Sequence, residues 1–130
     1  MTFYQKELQR LKHSIFRNQG QLDTVIAMRS YMDTNYEQEL NLELLSKLLL
    51  VSKFHLLRLF KKYYGQTPRQ YLIDRRISAA RQHLEDGMPV TETCFAVGFE
   101  SLGSFSVLFK KRYGKSPYSY QKEQFSRSNP

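Results

Sequence analysis

The chain contains one 21-residue pattern twice, and the second copy starts 49 residues after the first. Residues 52–72 read SKFHLLRLFKKYYGQTPRQYL and residues 101–121 read SLGSFSVLFKKRYGKSPYSYQ, so nine of the 21 positions are identical. The identities include a leucine-phenylalanine-lysine-lysine run, a tyrosine and a glycine after it, and a proline three residues past the glycine. A short chain that holds one supersecondary unit twice is expected to use it twice.

Each copy has the start and stop signals of two consecutive helices. In the first copy Ser52 can cap a helix, Gly65 can end it in the left-handed conformation, and Pro68 can open the next helix. A short helical segment precedes the serine in both copies, after which a turn of three or four residues follows. This order is that of a helix-turn-helix motif, which is a weak signal by itself because many helical proteins contain such a pair.

Apolar residues spaced by three and four positions predict helices along the rest of the chain, so the expected fold class is all-α. A first helix should end at Gly20, and a second helix, capped by Asp23, should stop at Asn35. A long central helix should run from Pro68 to about Glu85, and the first helix is an extra element at the N-terminus. An apolar stripe on that N-terminal helix consists of Tyr4, Leu8, Leu11 and Ile15.

The predicted divisions of the chain follow these helices. They are an N-terminal amphipathic helix or linker remnant (1–20), a first helix-turn-helix lobe (21–67), a connecting helix (68–86), a second lobe (87–125) and a disordered tail (126–130). Inward-pointing side chains are predicted on the two helices that Asp23 and Asn41 cap. They are Val25, Ile26, Met28 and Met32 on the former, and Leu42, Leu45, Leu48 and Leu49 on the latter.

The positive charge is concentrated on the two copies of the repeat. Residues 52–83 carry eight basic side chains against one acid, and residues 101–130 carry six against one. Residues 1–51 are balanced, and residues 84–100 hold four acidic and no basic side chains. Two equivalent basic elements indicate a polyanion with two docking points, so double-stranded DNA is the expected partner.

No pattern in the sequence points to catalysis or to a cofactor. His13, His55 and His83 stand in three different predicted helices without metal-ligand spacing, and the single cysteine, Cys94, lies on a predicted core face. We therefore expect no catalytic residue, no metal site and no cofactor. The N-terminus is too polar for a signal peptide, and no apolar run approaches the roughly 20 residues of a membrane span. The expected location is the cytoplasm, without a membrane partner.

Residues 90–117, VTETCFAVGFESLGSFSVLFKKRYGKSP, closely resemble the signature of the AraC/XylS family of bacterial transcription regulators. That signature combines an A-x-x-x-G-F turn, an F-x-x-x-F-K-K core and a G-x-S/T-P ending, and Cys94 stands here where a small alanine is usual. Residues 40–68 resemble the first helix-turn-helix of the same family, and the resemblance covers residues 22 to about 122. The matching residues are Val97-Gly98-Phe99, Phe105, Phe109-Lys110-Lys111, Gly114 and Ser116-Pro117.

The resemblance implies two helix-turn-helix subdomains of about seven helices, joined by the long central helix. It also implies a monomer that presents both recognition helices on one side and reads two successive major-groove segments, about 34 Å apart. Arg58 is the strongest candidate reader, since a guanidinium can bond O6 and N7 of a guanine together, whereas its counterpart is Val107. The first helix is therefore expected to supply sequence discrimination, and the second to supply affinity and shape-dependent readout. The implied base-reading residues are Lys53, Phe54, Leu57 and Arg58, then Leu102, Gly103, Ser104 and Val107.

Phosphate contacts are expected from helix N-termini and from basic side chains that flank the recognition helices. Of Arg75 and Arg76, one is expected to pair with an acidic residue and the other to face DNA. For Lys111 and Arg112 a solvated helix face is an equally open reading. The predicted phosphate set is Ser52, Lys61, Lys62, Arg69, Arg75, Arg76, Ser101, Lys110, Lys111, Arg112 and Lys115.

A second reading stays open, in which the chain is a basic helical protein-interaction module that binds DNA only non-specifically. Its partner would be RNA polymerase or a second copy, and the N-terminal stripe is the feature that supports it. A monomer on DNA is the expected state, and a dimer through the N-terminal helix is the alternative. The resemblance fits either a stand-alone regulator, as in the short family members, or the C-terminal portion of a longer one. Activation is the more common behaviour in the family.

Overall fold

The computed structural model of the protein describes residues 2–128, except for the side chains of residues 14–18 and 128. This part of the chain forms helices only, and none of them combines the length and the apolar character that a membrane span needs. The seven helices are α1 (Phe3–Thr34), α2 (Leu42–Leu49), α3 (Lys53–Tyr64), α4 (Pro68–Glu85), α5 (Val90–Ala96), α6 (Leu102–Tyr113) and α7 (Pro117–Ser128). The chain folds into two compact units, and α1 contributes residues to both. The all-α prediction with two helix-turn-helix pairs is confirmed.

The predicted break at Gly20 is wrong, because α1 runs without interruption through that residue. A glycine inside a helix costs about 1 kcal/mol relative to alanine, which lowers helix stability but does not end a long helix. The i, i+4 geometry is kept across the glycine: the Thr24 hydroxyl donates to the Gly20 carbonyl at 2.9 Å, and the Gln19 amide donates to Asp23 at 3.3 Å. Asp23 therefore lies inside a helix and caps none.

The N-terminal part of α1 carries exposed apolar side chains. Tyr4, Leu8 and Leu11, three members of the predicted stripe, are exposed, as is Phe3 beside them. The fourth member, Ile15, lies among the side chains that the structure does not describe.

The first unit comprises residues 2–32 and 41–68, and its core takes one stripe from each of its three helices. Two predicted core residues are wrong. Ile26 is 51% exposed because it follows Val25 by one position, which turns it by about 100° on the helix. Leu48 is 64% exposed because the inner stripe of the short α2 runs through Leu45 and its neighbours at i−3 and i+4. The buried apolar side chains of this core are Val25, Met28, Met32, Leu45, Leu56, Leu59 and Phe60.

The second unit comprises residues 33–40 and 69–128. Aromatic rings from α6 fill its centre: Phe105 lies 5.4 Å from Phe99 and 5.9 Å from Phe109, measured between ring centroids. Tyr120 of α7 approaches Phe109 to 5.5 Å in an edge-to-face arrangement. Cys94 is buried in this core, on the helix face that the sequence predicts. The other buried members are Ile77, Ala80, Leu84 and Val97.

The tail predicted to be disordered is helical as far as the structure describes it. In α7 the Ser126 hydroxyl donates to the Lys122 carbonyl at 3.1 Å, and Arg127 pairs with Glu123 at 2.9 Å. These i, i+4 contacts continue the helix to Ser128, beyond the predicted end at Phe125. Asn129 and Pro130 lie outside the described residues.

Candidate nucleic-acid interface

The first candidate reading surface is the outer side of α3. Phe54, Arg58 and Lys61 follow one another at i, i+4 and i+7, and all three are exposed, while the opposite side of the helix is buried in the core of the first unit. Leu57 lies half-buried at the edge of this surface. Within the described part of the chain, the Arg58 guanidinium has no ion-pair partner. Its donors are therefore available to an external acceptor.

Local capping holds α3 in place at both ends. The Ser52 side chain accepts a hydrogen bond from the His55 amide at 3.2 Å, and Gly65 ends the helix with φ of 71°. Lys53, at the first position of the helix, donates to Glu43 of α2 at 2.9 Å, and this hydrogen bond lowers the pKa of Glu43. Lys53 thus has a partner inside the protein, although an exposed pair of this kind is weak.

The second candidate reading surface, on α6, has the same framework and different chemistry. Ser101 caps the helix by accepting from the Ser104 amide at 3.3 Å, and Gly114 ends it with φ of 78°. Val107 is 68% exposed at the position that matches Arg58, so an apolar group stands where α3 has a guanidinium. Leu102, Gly103 and Ser104 are exposed as well. The surface offers one hydroxyl and small apolar groups, with no bidentate donor.

Most of the predicted phosphate-contacting side chains are exposed. Lys62 has two neighbours in the first unit: it donates to Gln21 at 3.4 Å and its ammonium lies 5.4 Å from the Tyr63 ring centroid. Lys115 forms an ion pair with Glu123 of α7. The remaining exposed cations of the predicted set are Lys61, Arg69, Lys110, Lys111 and Arg112.

Two neighbouring arginines of α4, Arg75 and Arg76, both have partners inside the second unit. Arg75 lies 3.9 Å from the carboxylate of Asp33 and places its guanidinium 4.4 Å from the Tyr36 ring centroid. Arg76 donates to the main-chain carbonyls of Tyr36 and Gln38, both at 2.7 Å. The sequence predicted one paired and one DNA-facing arginine, whereas both arginines have partners within the protein. Arg75 and Arg76 are therefore not part of the phosphate set that we propose below.

The turns before α3 and α6 each contain one residue with positive φ, Leu50 and Gly98, and these two positions were not matched from the sequence. Leu50, between α2 and α3, has φ of 56°, and it is the one non-glycine residue with positive φ in the described chain. Gly98, between α5 and α6, has φ of 103°. The repeat offset that aligns the two serine caps hides this pair, since Leu50 stands two residues before Ser52 and Gly98 stands three before Ser101. With the 49-residue offset, half-buried Ser106 of α6 corresponds to Leu57 of α3. Ser106 was not among the predicted base-reading residues.

Comparison with known proteins agrees with this architecture. A family model described as a helix-turn-helix domain matches residues 45–123. The HTH-type transcriptional regulator GbdR of Pseudomonas aeruginosa is 33% identical over 108 residues, which are 82% of this chain and 29% of GbdR. A crystal structure of an AraC-type transcriptional regulator from Chromobacterium violaceum superposes with a TM-score of 0.71 at 27% identity, covering 81% of this chain and 95% of that one.

The DNA-binding domain of the global transcriptional factor AdpA, solved in complex with a target DNA, has the same fold: the TM-score is 0.72 at 24% identity, over 79% of this chain and 94% of that one. The chain spans less than half the length of the curated relatives it matches first. The family model covers well over half of the chain, and the relatives are named as transcription regulators. The protein therefore belongs to the AraC/XylS family and carries an AraC-type helix-turn-helix DNA-binding domain.

Proposed function

We propose that the protein is a transcription regulator that binds double-stranded DNA sequence-specifically, with α3 and α6 entering successive major-groove segments. The observation that carries the proposal is the outer side of α3, where Phe54, Arg58 and Lys61 stand exposed on a helix that is capped at both ends. A rigid helix with an exposed arginine and aromatic ring has the chemistry to read a guanine edge and a thymine methyl. Its buried opposite face keeps that orientation constant.

The two helices have different roles in this proposal. Arg58 discriminates between bases in the first box, with Lys53, Phe54 and Leu57 beside it. The α6 residues Leu102, Gly103, Ser104 and Val107 offer contacts too small to discriminate strongly, so α6 contributes affinity and readout of DNA shape. The protein binds as a monomer to an asymmetric pair of boxes.

Phosphate contacts hold the protein in register on the duplex. Both helix caps, Ser52 and Ser101, put helix N-termini close to the reading surfaces, where main-chain amides favour anions. The proposed basic contacts are Lys61, Lys62, Arg69, Lys110, Lys111, Arg112 and Lys115. Lys115 must exchange its intramolecular partner, Glu123, for a phosphate.

We propose activation, through contact with RNA polymerase, as the regulatory outcome, and we assign the protein no enzymatic role. Support comes from relatives that are named as transcriptional activators. Self-association through the exposed N-terminal part of α1 is the competing possibility. Sedimentation over a hundredfold range of concentration tests it, since a monomer keeps one sedimentation coefficient throughout.

Selection of binding sites from random duplex DNA, followed by affinity measurement against salt, tests the main proposal. We expect two enriched boxes about one helical turn apart. Arg58→Ala should relax base preference at one box and weaken binding to the selected site by roughly 1 to 3 kcal/mol. Arg10→Ala removes an exposed arginine that lies outside α3 and outside the predicted base-reading and phosphate sets, and it is the matched control.

Other outcomes separate the alternatives. Enrichment of one box alone would mean that α6 only holds phosphates. Absence of any enriched sequence, together with a steep salt dependence, would favour the protein-interaction module with non-specific DNA binding. Equal loss of specificity from Ser104→Ala and Arg58→Ala would contradict the proposed division of roles.

A further inference from the structure

A cavity of about 540 Å³ opens within the first unit, between α1 and the flank of α3. Its volume lies in the range of small-molecule sites, roughly 300 to 1,000 Å³. It lies on the side of α3 next to the reading surface, since Lys62 follows Lys61 by one position. The lining residues are Gly20, Gln21, Thr24, Val51, His55, Leu59 and Lys62.

Gly20 is not explained by the fold. It sits in the middle of the 32-residue α1, where glycine costs about 1 kcal/mol relative to alanine. Its backbone does not have positive φ, and an added Cβ would meet no heavy atom within 4 Å. Neither conformation nor crowding therefore requires glycine here. The absence of a side chain leaves the α1 wall of the cavity open.

The polar groups of the cavity favour an anion. Among the lining residues that the structure describes there is one ammonium, that of Lys62, and no carboxylate. Lys62 donates to Gln21 over a long 3.4 Å, so its other two donors are not taken up by this bond. The Thr24 hydroxyl uses its hydrogen for the Gly20 carbonyl and offers no donor to an anion, so the preference for an anion comes from Lys62. A carboxylate at this end would gain a charge-assisted hydrogen bond.

The rest of the lining is apolar. Leu59 is almost fully buried and Val51 is half-buried, and together they offer a hydrocarbon surface next to the ammonium. A ligand that fills the cavity therefore needs a compact apolar body as well as an anionic group. The His55 ring also lines the cavity and can donate or accept.

We propose that this cavity binds a small amphipathic carboxylate and that binding weakens the affinity for DNA. The effect on DNA rests on the proposed function, in which Lys62 contacts a phosphate. A carboxylate bound to Lys62 neutralises that ammonium, and one phosphate contact is lost. The binding site itself does not depend on DNA and can be tested alone.

Amide NMR of the whole chain with cyclohexanecarboxylate as the probe tests the site. Saturable shifts should appear for Gly20, Gln21, Thr24 and His55, and cyclohexanecarboxamide, the neutral isostere, should cause none. Lys62→Gln should weaken binding about fivefold, whereas Lys61→Gln, which removes an exposed lysine outside the cavity, should leave it unchanged. Gly20→Leu should weaken binding strongly and keep or raise the thermal stability, because the leucine side chain occupies part of the cavity and leucine favours helix.

Three results would overturn the site: shifts that spread over every basic surface without saturation, equal weakening by Lys61→Gln, or unchanged binding in Gly20→Leu.

The effect of the probe on DNA binding is tested separately. Saturating probe should reduce DNA affinity of the parent chain and not of Gly20→Leu, with sodium chloride at equal ionic strength as the reference. A probe that binds the parent without changing its DNA affinity would contradict the coupling and leave the site confirmed. A chain that fails to bind DNA at all would contradict the proposed function, while the NMR result still decides the site.

Discussion

Arg76 Nε donates a hydrogen bond of 2.7 Å to the main-chain carbonyl of Tyr36, 40 residues earlier in the chain. A second bond of equal length runs from the same guanidinium to the carbonyl of Gln38, and its carbon lies 5.8 Å from the Phe99 ring centroid. Burial lowers the pKa of this arginine, which fits a side chain drawn into the protein. Arg76 thus ties the segment between α1 and α2 to the rest of the second unit.

Arg76→Ala should therefore affect stability first. Loss of two hydrogen bonds from a charged donor is expected to lower the free energy of unfolding by about 2 kcal/mol, measured by urea denaturation. Arg69→Ala removes an exposed arginine from the same helix and should stay within about 0.5 kcal/mol of the parent. Unchanged stability for Arg76→Ala, combined with a salt slope of DNA binding reduced by about one, would restore it to the phosphate contacts.

Gly98 should tolerate alanine much less well than Gly114. Both have positive φ, but an added Cβ at Gly98 would lie 2.8 Å from the Glu37 carbonyl oxygen, while one at Gly114 would meet nothing within 4 Å. We expect Gly114→Ala to cost about 1 kcal/mol, from the backbone conformation alone. Gly98→Ala should cost about 3 kcal/mol, since overpacking adds to that strain. Equal costs in thermal or urea unfolding would show that the turn can shift to accept a methyl group.

Leu50 stores backbone strain that glycine would remove. It is 90% exposed and holds φ of 56°, so its side chain contributes little burial in return. Leu50→Gly should raise the free energy of unfolding by about 0.5 to 1 kcal/mol. This is the backbone strain that is removed, less the cost of glycine's greater conformational freedom in the unfolded chain. Leu50→Ala keeps the strain and should lie within about 0.5 kcal/mol of the parent. A less stable Leu50→Gly would show that the leucine side chain has a packing role.

Val107→Arg should give α6 a base-reading guanidinium like the one that Arg58 supplies on α3. The position is exposed and matches Arg58 in the repeat, so the new guanidinium can reach a base edge without disturbing the core. We expect selection from random DNA to gain a guanine at one position of the second box, with a preference of roughly 1 to 3 kcal/mol. Val107→Lys, with the same charge and no bidentate geometry, should raise affinity with less base preference. If both variants raise the affinity equally for all DNA sequences, position 107 contacts phosphate and not a base edge.

Stability should fall in acid through Glu85. The Tyr120 hydroxyl donates to this carboxylate, Arg81 also donates to it at 3.2 Å, and these bonds lower the pKa of Glu85. A lowered folded-state pKa means that the stabilisation is complete above the unfolded value of about 4.3 and disappears as the pH falls through the folded value.

Tyr120→Phe measures this effect. The variant should be about 1 kcal/mol less stable at pH 7, and the difference from the parent should narrow as Glu85 is protonated. Tyr118→Phe changes an exposed tyrosine of the same helix and should match the parent at every pH. A constant difference between Tyr120→Phe and the parent down to pH 3 would mean that the hydroxyl acts through packing and not through the carboxylate.

The family, the fold class and most helix ends could be predicted from the sequence. Asn41, Ser52 and Ser101 cap the helices that they were expected to cap, and Gly65 and Gly114 end theirs. The exposed sides of α3 and α6 also agree with the prediction, because a helix with one apolar stripe has only one way to face its core. Their contacts with bases and phosphates stay predictions until DNA binding is measured.

The features that could be predicted have causes within about four residues: caps, glycine ends, proline starts and the side of a helix that faces the core. Other features depend on contacts between distant segments of the folded chain. Whether Gly20 would break α1, which partners Arg75 and Arg76 would take, and where a cavity would open depend on residues tens of positions away. Local sequence signals do not predict these features. One glycine costs a helix only about 1 kcal/mol, which is less than the packing and hydrogen bonds that distant segments supply.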